Sequence, residues 1–189
     1  MEHPLDTPES QATSRRRLIT SLLAGGAVVA ATPLLAGTAR AAGTTDTTVP
    51  PNRDASDNAA LNAALAREAR LVGTYRAAVE LANEDDKVAL SLILDHHVAY
   101  ANALKGYLGT QAQAAAETPL MQPSGGFAAM ANALSKLENE SAKSHADMVA
   151  GLKGIDAAAL VASIVTVTVR TATALAIAAG ASPLAAAGA

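Results

Sequence analysis

The sequence predicts an all-α protein folded as an antiparallel four-helix bundle, and three observations carry that expectation. Half of the 189 residues are apolar, mostly alanine, with one phenylalanine, three tyrosines and no tryptophan. Alanine favours helix and offers a sheet little to bury. Four long stretches then place their inward residues in alternating steps of three and four, the period of a helix with one buried face. Glycines, prolines and polar turns separate these stretches where helices ordinarily start and stop.

The first helix is predicted from Asp57, a good N-cap, to Asn83, with a seam of Leu61, Leu65, Glu68, Val72, Tyr75 and Val79. The second opens on Glu84-Asp85-Asp86, where negative charge suits a helix N-terminus, and stops at Gly109. Its seam is Leu90, Ile93, His97, Tyr100, Leu104 and Tyr107. A long connection, TQAQAAAETPLMQPSGG, fills residues 110–126 and can cross the bundle. The third helix runs from Phe127 to Leu152, with Ala131, Leu134, Glu138, Ser141, His145 and Met148 facing inward. The fourth spans Asp156 to Ala179 and ends at Gly180, with Val161, Ile164, Thr168, Thr171, Leu175 and Ala178 on its seam. Short first and last connections imply antiparallel hairpins. Residues 57–180 thus form one domain, followed by a tail at 181–189.

The fourth helix admits a rival. Residues 160–179 hold a single charge and have about the length of a membrane span. Arg170 near the centre would cost about 2.5–3.5 kcal/mol there, and several threonines lower the hydrophobicity further. A core helix packed on three matching seams is the preferred expectation.

Ahead of the helices, SRRRLI (residues 14–19) precedes the apolar run LLAGGAVVAATPLLAG and then TARAAG. A basic cluster, a modest apolar core and a small-x-small end have the layout of an export signal. Ser14-Arg15-Arg16 followed by Leu18, with Thr20 in place of a lysine, resembles a twin-arginine signal. Ala39-Arg40-Ala41 predicts cleavage after Ala41 and so a signal peptide over 1–41. The resemblance implies the twin-arginine translocation machinery as a partner and a location in the periplasm, the cell envelope or the medium. The rival is an uncut membrane anchor, for which the run is short and glycine-rich. Residues 42–56, polar and carrying Pro50-Pro51, read as a flexible linker.

Polar residues occupy the middle of every seam: Glu68 and Tyr75, His97 and Tyr100, Glu138 and His145, Thr168 and Thr171. Glu68 stands seven before Tyr75 as Glu138 stands seven before His145, and YANAL (100–104) parallels TATAL (171–175), so the two halves read as a repeated hairpin. This pattern resembles the ferritin-like superfamily, and within it the twin-arginine-exported ferritin-like proteins of bacteria. Such proteins take one glutamate from each of two helices and a Glu-x-x-His pair from each of the other two. Glu68 and Glu138 match the single glutamates, but the Glu-x-x-His pairs stand here as His97-x-x-Tyr100 and Thr168-x-x-Thr171.

The departure removes both bridging glutamates and both motif histidines, so a di-iron centre is degenerate. Two alternatives remain for the layer. Glu68, His97, Glu138 and His145 are candidate ligands for one Fe, Mn or Zn ion. Otherwise the same residues, with the hydroxyls of Tyr75, Tyr100, Thr168 and Thr171 and with Arg170 reaching in from the flank, form a hydrogen-bonded layer that fixes helix pairing. His96, on the neighbouring face, is expected to serve helix packing or the surface.

Other chemistry finds no support. The net charge of −3 does not indicate nucleic acid, and no cysteine is present for a disulfide, a thiolate metal site or a nucleophile. Phosphate-loop, nucleophile-elbow and H-E-x-x-H motifs are missing. Ser144, His145 and Asp147 diverge around one helix and cannot converge as a triad. The expectation is an exported ferritin-like domain with a vestigial metal centre and a non-catalytic binding or structural role, associating through alanine-rich helix faces. The alternative is a mononuclear metal protein, a store or an oxidoreductase.

Overall fold

A computed structural model describes residues 53–182, and among them every regular element is helical. The signal peptide, Arg15, Arg16, the cleavage site after Ala41, most of the linker and the last seven residues lie outside the described range. Four long helices carry the fold: α1 (Asn58–Leu81), α2 (Glu84–Leu108), α3 (Phe127–Val149) and α4 (Ile155–Ala178). Short 3-10 turns stand at Ala55–Asp57 and Gly109–Gln111. The all-α, four-helix expectation is met, in an arrangement compatible with a helical bundle.

The helix ends follow local chemistry with three departures. Asn83 caps α2 as its side chain accepts the Asp86 N–H at 3.0 Å, and Glu84, Asp85 and Asp86 fill the first turn. Gly109 closes α2 with φ +56° and Gly180 follows α4 with φ +102°, the left-handed region that a residue without Cβ enters freely. The first departure is Asp57: it precedes α1 but its side chain makes no cap bond there. The second is that Ala55 and Ser56 belong to a 3-10 turn rather than to a linker. Third, α3 ends at Val149, three residues early, where Gly151 and Gly154 turn the chain into α4.

Two apolar clusters lie on either side of the polar residues. One gathers Leu71 and Ala78 of α1, Leu90 and Ile93 of α2, Met130 and Leu134 of α3, and Leu175 of α4. The other gathers Leu61 and Leu65 of α1, Leu104 and Tyr107 of α2, and Leu160, Val161 and Ile164 of α4, with Met148 and Leu152 against it. Each helix therefore passes from one cluster to the other through the polar tier. α1 packs along α2 and α3 along α4, with lighter contact of α1 on α3 and α2 on α4.

The C-terminus of α2 and the N-terminus of α3 belong to opposite clusters, so the connection between them has to travel the length of the helices. It does so against α1. Asn62 donates to the Gln111 carbonyl at 3.0 Å and accepts the Gln113 N–H at 2.8 Å. Higher up, the Thr74 hydroxyl accepts the Leu120 N–H at 2.9 Å, and Arg76 pairs with Glu117. The backbone of Glu117–Pro119 lies where a Cβ on Gly73 would be, which explains a glycine inside a helix at a cost of about 1 kcal/mol.

By length and composition α4 could cross a membrane, yet 56% of its most apolar window is buried inside the protein. Its seam residues Val161, Ile164, Thr168, Thr171 and Leu175 are all buried, as the core-helix expectation requires. Arg170 lies exposed and does not reach the polar tier.

Candidate functional site

The four candidate ligands between the two clusters come from one seam position on each of α1 and α2 and two on α3. Glu68 follows Leu65 and precedes Val72 on α1, so the helical period that buries those two buries it as well. His97 holds the equivalent place between Ile93 and Tyr100 on α2. On α3, Glu138 and His145 lie two turns apart with Ser141 between them. All four candidate ligands are almost completely buried and brought together.

They form one hydrogen-bonded chain. His145 donates from Nε2 to Glu68 Oε1 at 2.7 Å. The other oxygen of Glu68 meets His97 Nδ1 at 2.8 Å, and His97 Nε2 meets Glu138 Oε1 at 2.9 Å. Tyr75 ends the chain, donating its hydroxyl to the same Glu138 oxygen at 2.5 Å. Its ring stacks on His97 with centroids 5.1 Å apart and an interplanar angle of 21°, fixing the plane of the imidazole.

Electrostatics follows from this order. Burial alone would raise the Glu68 carboxyl, but the charge of His97 and the hydrogen bonds from His145 and His97 outweigh it and hold it down at about 2. Burial works against a charged His97 as well, and there Glu138 and Glu68 prevail, pushing the imidazole up to about 10. The Tyr75 hydroxyl is pushed far up by burial and then by Glu138, so it stays a proton donor.

The remaining predicted members are placed differently. Tyr100 is buried beside the tier, its hydroxyl raised by burial and by the charges of Glu68 and Glu138. Thr168 and Thr171 are buried, but Thr168 donates back to the Ile164 carbonyl of its own helix at 2.8 Å. A helical hydroxyl has the carbonyl one turn back in reach, and of the four expected hydroxyls it is Tyr75 that bonds to a glutamate of the tier. His96 is buried rather than at the surface, and burial followed by the neighbouring charge of His97 keeps its imidazole low. Sequence reasoning missed Arg67, which donates from Nε to Ser141 Oγ at 3.0 Å, while Ser141 donates to the Leu137 carbonyl at 2.8 Å. Arg67 adjoins Glu68 in sequence, which was the available signal.

The donor set can be tested against a metal. Two ligands of one tetrahedral ion with bonds of 2.0–2.2 Å stand about 3.3–3.6 Å apart. The facing atoms here stand at 2.7–2.9 Å, hydrogen-bond contacts that spend the lone pairs on protons. Among the described residues, no group of three or more His, Asp or Glu is placed to hold an ion. A pair of irons does not fit these residues as arranged. Within the tier, Glu138 Oε2 and His145 Nδ1 are buried with no hydrogen-bond partner, as are both ring nitrogens of His96 beside it.

What the arrangement does chemically is give each buried carboxylate hydrogen-bond donors. Glu68 accepts from two imidazoles and Glu138 accepts from an imidazole and a phenol, so each buried carboxylate is compensated by donors from other helices. Comparison with known proteins finds no matching family model, no matching curated protein and no matching solved structure.

Proposed function

We propose that this chain is an exported, ferritin-like four-helix protein whose metal centre has given way to a hydrogen-bonded polar layer. It serves a non-catalytic binding or structural role outside the cytoplasm, where copies associate through alanine-rich helix faces. The observation that carries this reading is the position of His97, with one ring nitrogen on Glu68 and the other on Glu138. Further support comes from the order in which the helices meet the two apolar clusters. α1 and α4 begin in one cluster while α2 and α3 begin in the other, as expected for two antiparallel hairpins joined by a long crossover. Support for export rests on Arg15, Arg16 and the Ala39-Arg40-Ala41 site.

One observation favours a second reading, a mononuclear Fe, Mn or Zn protein: the buried Glu138 Oε2 and His145 Nδ1 offer two lone pairs to an ion. Metal analysis of the exported protein separates the two. Under the polar-layer reading, no stoichiometric metal co-purifies, and Glu68→Gln and Glu138→Gln still fold but lose a few kcal/mol, because each leaves His97 with one of its two charged partners. A stoichiometric ion lost in both variants would establish the metal reading instead. Mass spectrometry of the exported N-terminus checks processing, and a chain beginning at Met1 would defeat cleavage after Ala41.

A further inference from the structure

Resting on the reading that copies associate through helix faces, we infer that the outward side of α4 docks the α4 of a second copy. The two helices run antiparallel about a twofold axis beside Ser163. The inward side of α4 is spent on its own bundle. Outward, Ile155, Ala162, Val169 and Ala176 recur every seven residues, and none of the four is buried. Ile155 stays 71% exposed and Val169 46%, two of the four large apolar side chains that the described residues leave in solvent. A seven-residue repeat on one face is the pattern a partner helix packs against. Polar groups on this side are already satisfied. Thr166 donates to the Ala162 carbonyl and Thr173 to the Val169 carbonyl, each at 3.0 Å, so covering them strands no hydroxyl proton.

Charge and size together choose the occupant and its register. Exposed Arg170 and half-buried Asp156 stand fourteen residues apart, close to four turns, and so share one flank of this face. An antiparallel twofold brings like flanks together, so Arg170 of each copy meets Asp156 of the other, with position 163 at the axis. That same register sets Val165 over Ala162 and Val169 over Ala158 of the second copy, large on small in successive layers. The ion pair is exposed to water and fixes register more than affinity. At 1.5 Å per residue and a width of about 10 Å, α4 offers roughly 700 Å² over both copies. The edges of α2 and α3, which pack against α4, add to it. The total stands near the low end for specific interfaces, roughly 1,200 Å², so a weak, concentration-dependent dimer is expected. Lipid is the less favoured occupant. Helices lying on membranes set Trp, Phe or Leu between basic flanks, whereas this face is alanine, valine and threonine with one arginine.

Sedimentation equilibrium of the full chain from about 1 μM to about 1 mM gives the direct test. A monomer–dimer equilibrium is expected, weakened about tenfold or more in Val169→Glu, which would bury an unpaired charge between the copies. Val169 lies at the surface, so the helical circular dichroism of that variant should match the parent. The chain has no cysteine, and an introduced one therefore reports the register. Ala162→Cys, beside the axis, is expected to form a disulfide with its copy under mild oxidation. Thr173→Cys lies about 30 Å from its copy in this register and is expected to form none. A dimer that withstands Val169→Glu overturns the inference and leaves association through another face standing. Cross-linking through position 173 and not 162 overturns the antiparallel register and the inference with it. A chain that stays monomeric at the highest concentration overturns the association reading as well. Flotation with vesicles of phosphatidylglycerol and phosphatidylethanolamine is the last arm: no binding that depends on Val169 is expected, and binding lost in Val169→Glu would assign the face to lipid and overturn the inference.

Discussion

Glu68 and Asp57 are buried carboxylates eleven residues apart, and the protein satisfies them with different kinds of partner. Glu68, in the middle of α1, is held by the imidazoles of His97 and His145. Asp57, just ahead of α1, accepts the backbone N–H of Lys153 at 2.9 Å and that of Gly154 at 2.7 Å, across the turn between α3 and α4. The difference lies in where backbone donors are free. Mid-helix, every N–H is spent on the carbonyl four residues back, so a buried charge there can be met by side chains alone. Ahead of a helix the first N–H groups are unspent, and a carboxylate arriving from elsewhere in the chain completes them. A middle tier thus needs costly polar side chains from several helices, while an end clasp needs one aspartate.

That comparison can be broken at either place. The largest expected effect is at the tier. His97→Ala leaves Glu68 and Glu138 buried without their shared cation, and a loss of about 3–5 kcal/mol is expected in urea unfolding without added metal. Losing less than about 1 kcal/mol would mean that the two carboxylates do not depend on His97.

Next comes pH, with a sign for each group. Glu68 is lowered from about 4.5 to about 2, so its contribution is whole above about 4.5 and drains as the pH falls toward 2. His97 is raised from about 6.5 to about 10, so its contribution is whole below about 6.5 and drains as the pH rises toward 10. Stability measured from pH 2 to 10.5 should therefore peak between about 4.5 and 6.5 and fall by a few kcal/mol toward each end. In His97→Gln the alkaline limb should flatten and the acid limb shrink, since His97 is the largest charge holding Glu68 down.

Smallest is the clasp. Asp57→Ala strands two N–H groups and should cost about 1–3 kcal/mol, with faster amide exchange at Lys153 and Gly154 and no change in the His97 signals. An effect on the tier would show that the two regions are not independent.

Much of the tier was legible before any coordinates. Glu68, His97, Glu138 and His145 share the helical period of their apolar neighbours, and that period alone turned all four inward. The order of bonds among them was not legible, because periodicity places a residue on a face without saying which side chain across the axis it meets. Thr168 shows the limit from the other direction: it lies on the seam and is buried, yet its hydroxyl is taken by Ile164 of its own helix. By local rules Asp57 reads as a cap for the helix it precedes, and such rules cannot see a partner 96 residues away. The glycine at 73 was visible as an oddity within a helix, but the strand of chain that needs its missing Cβ arrives from residues 117–119.

By itself the sequence determined the number of helices, their approximate limits and the inward face of each, because caps, breakers and a period of 3.6 act within a few residues of one another. Tertiary structure alone decided that one imidazole bridges two carboxylates, that the long connection climbs α1, and that Asp57 closes the start of α4. Those outcomes depend on distances between segments far apart in the chain, which become defined once the apolar clusters have packed and set the helices side by side.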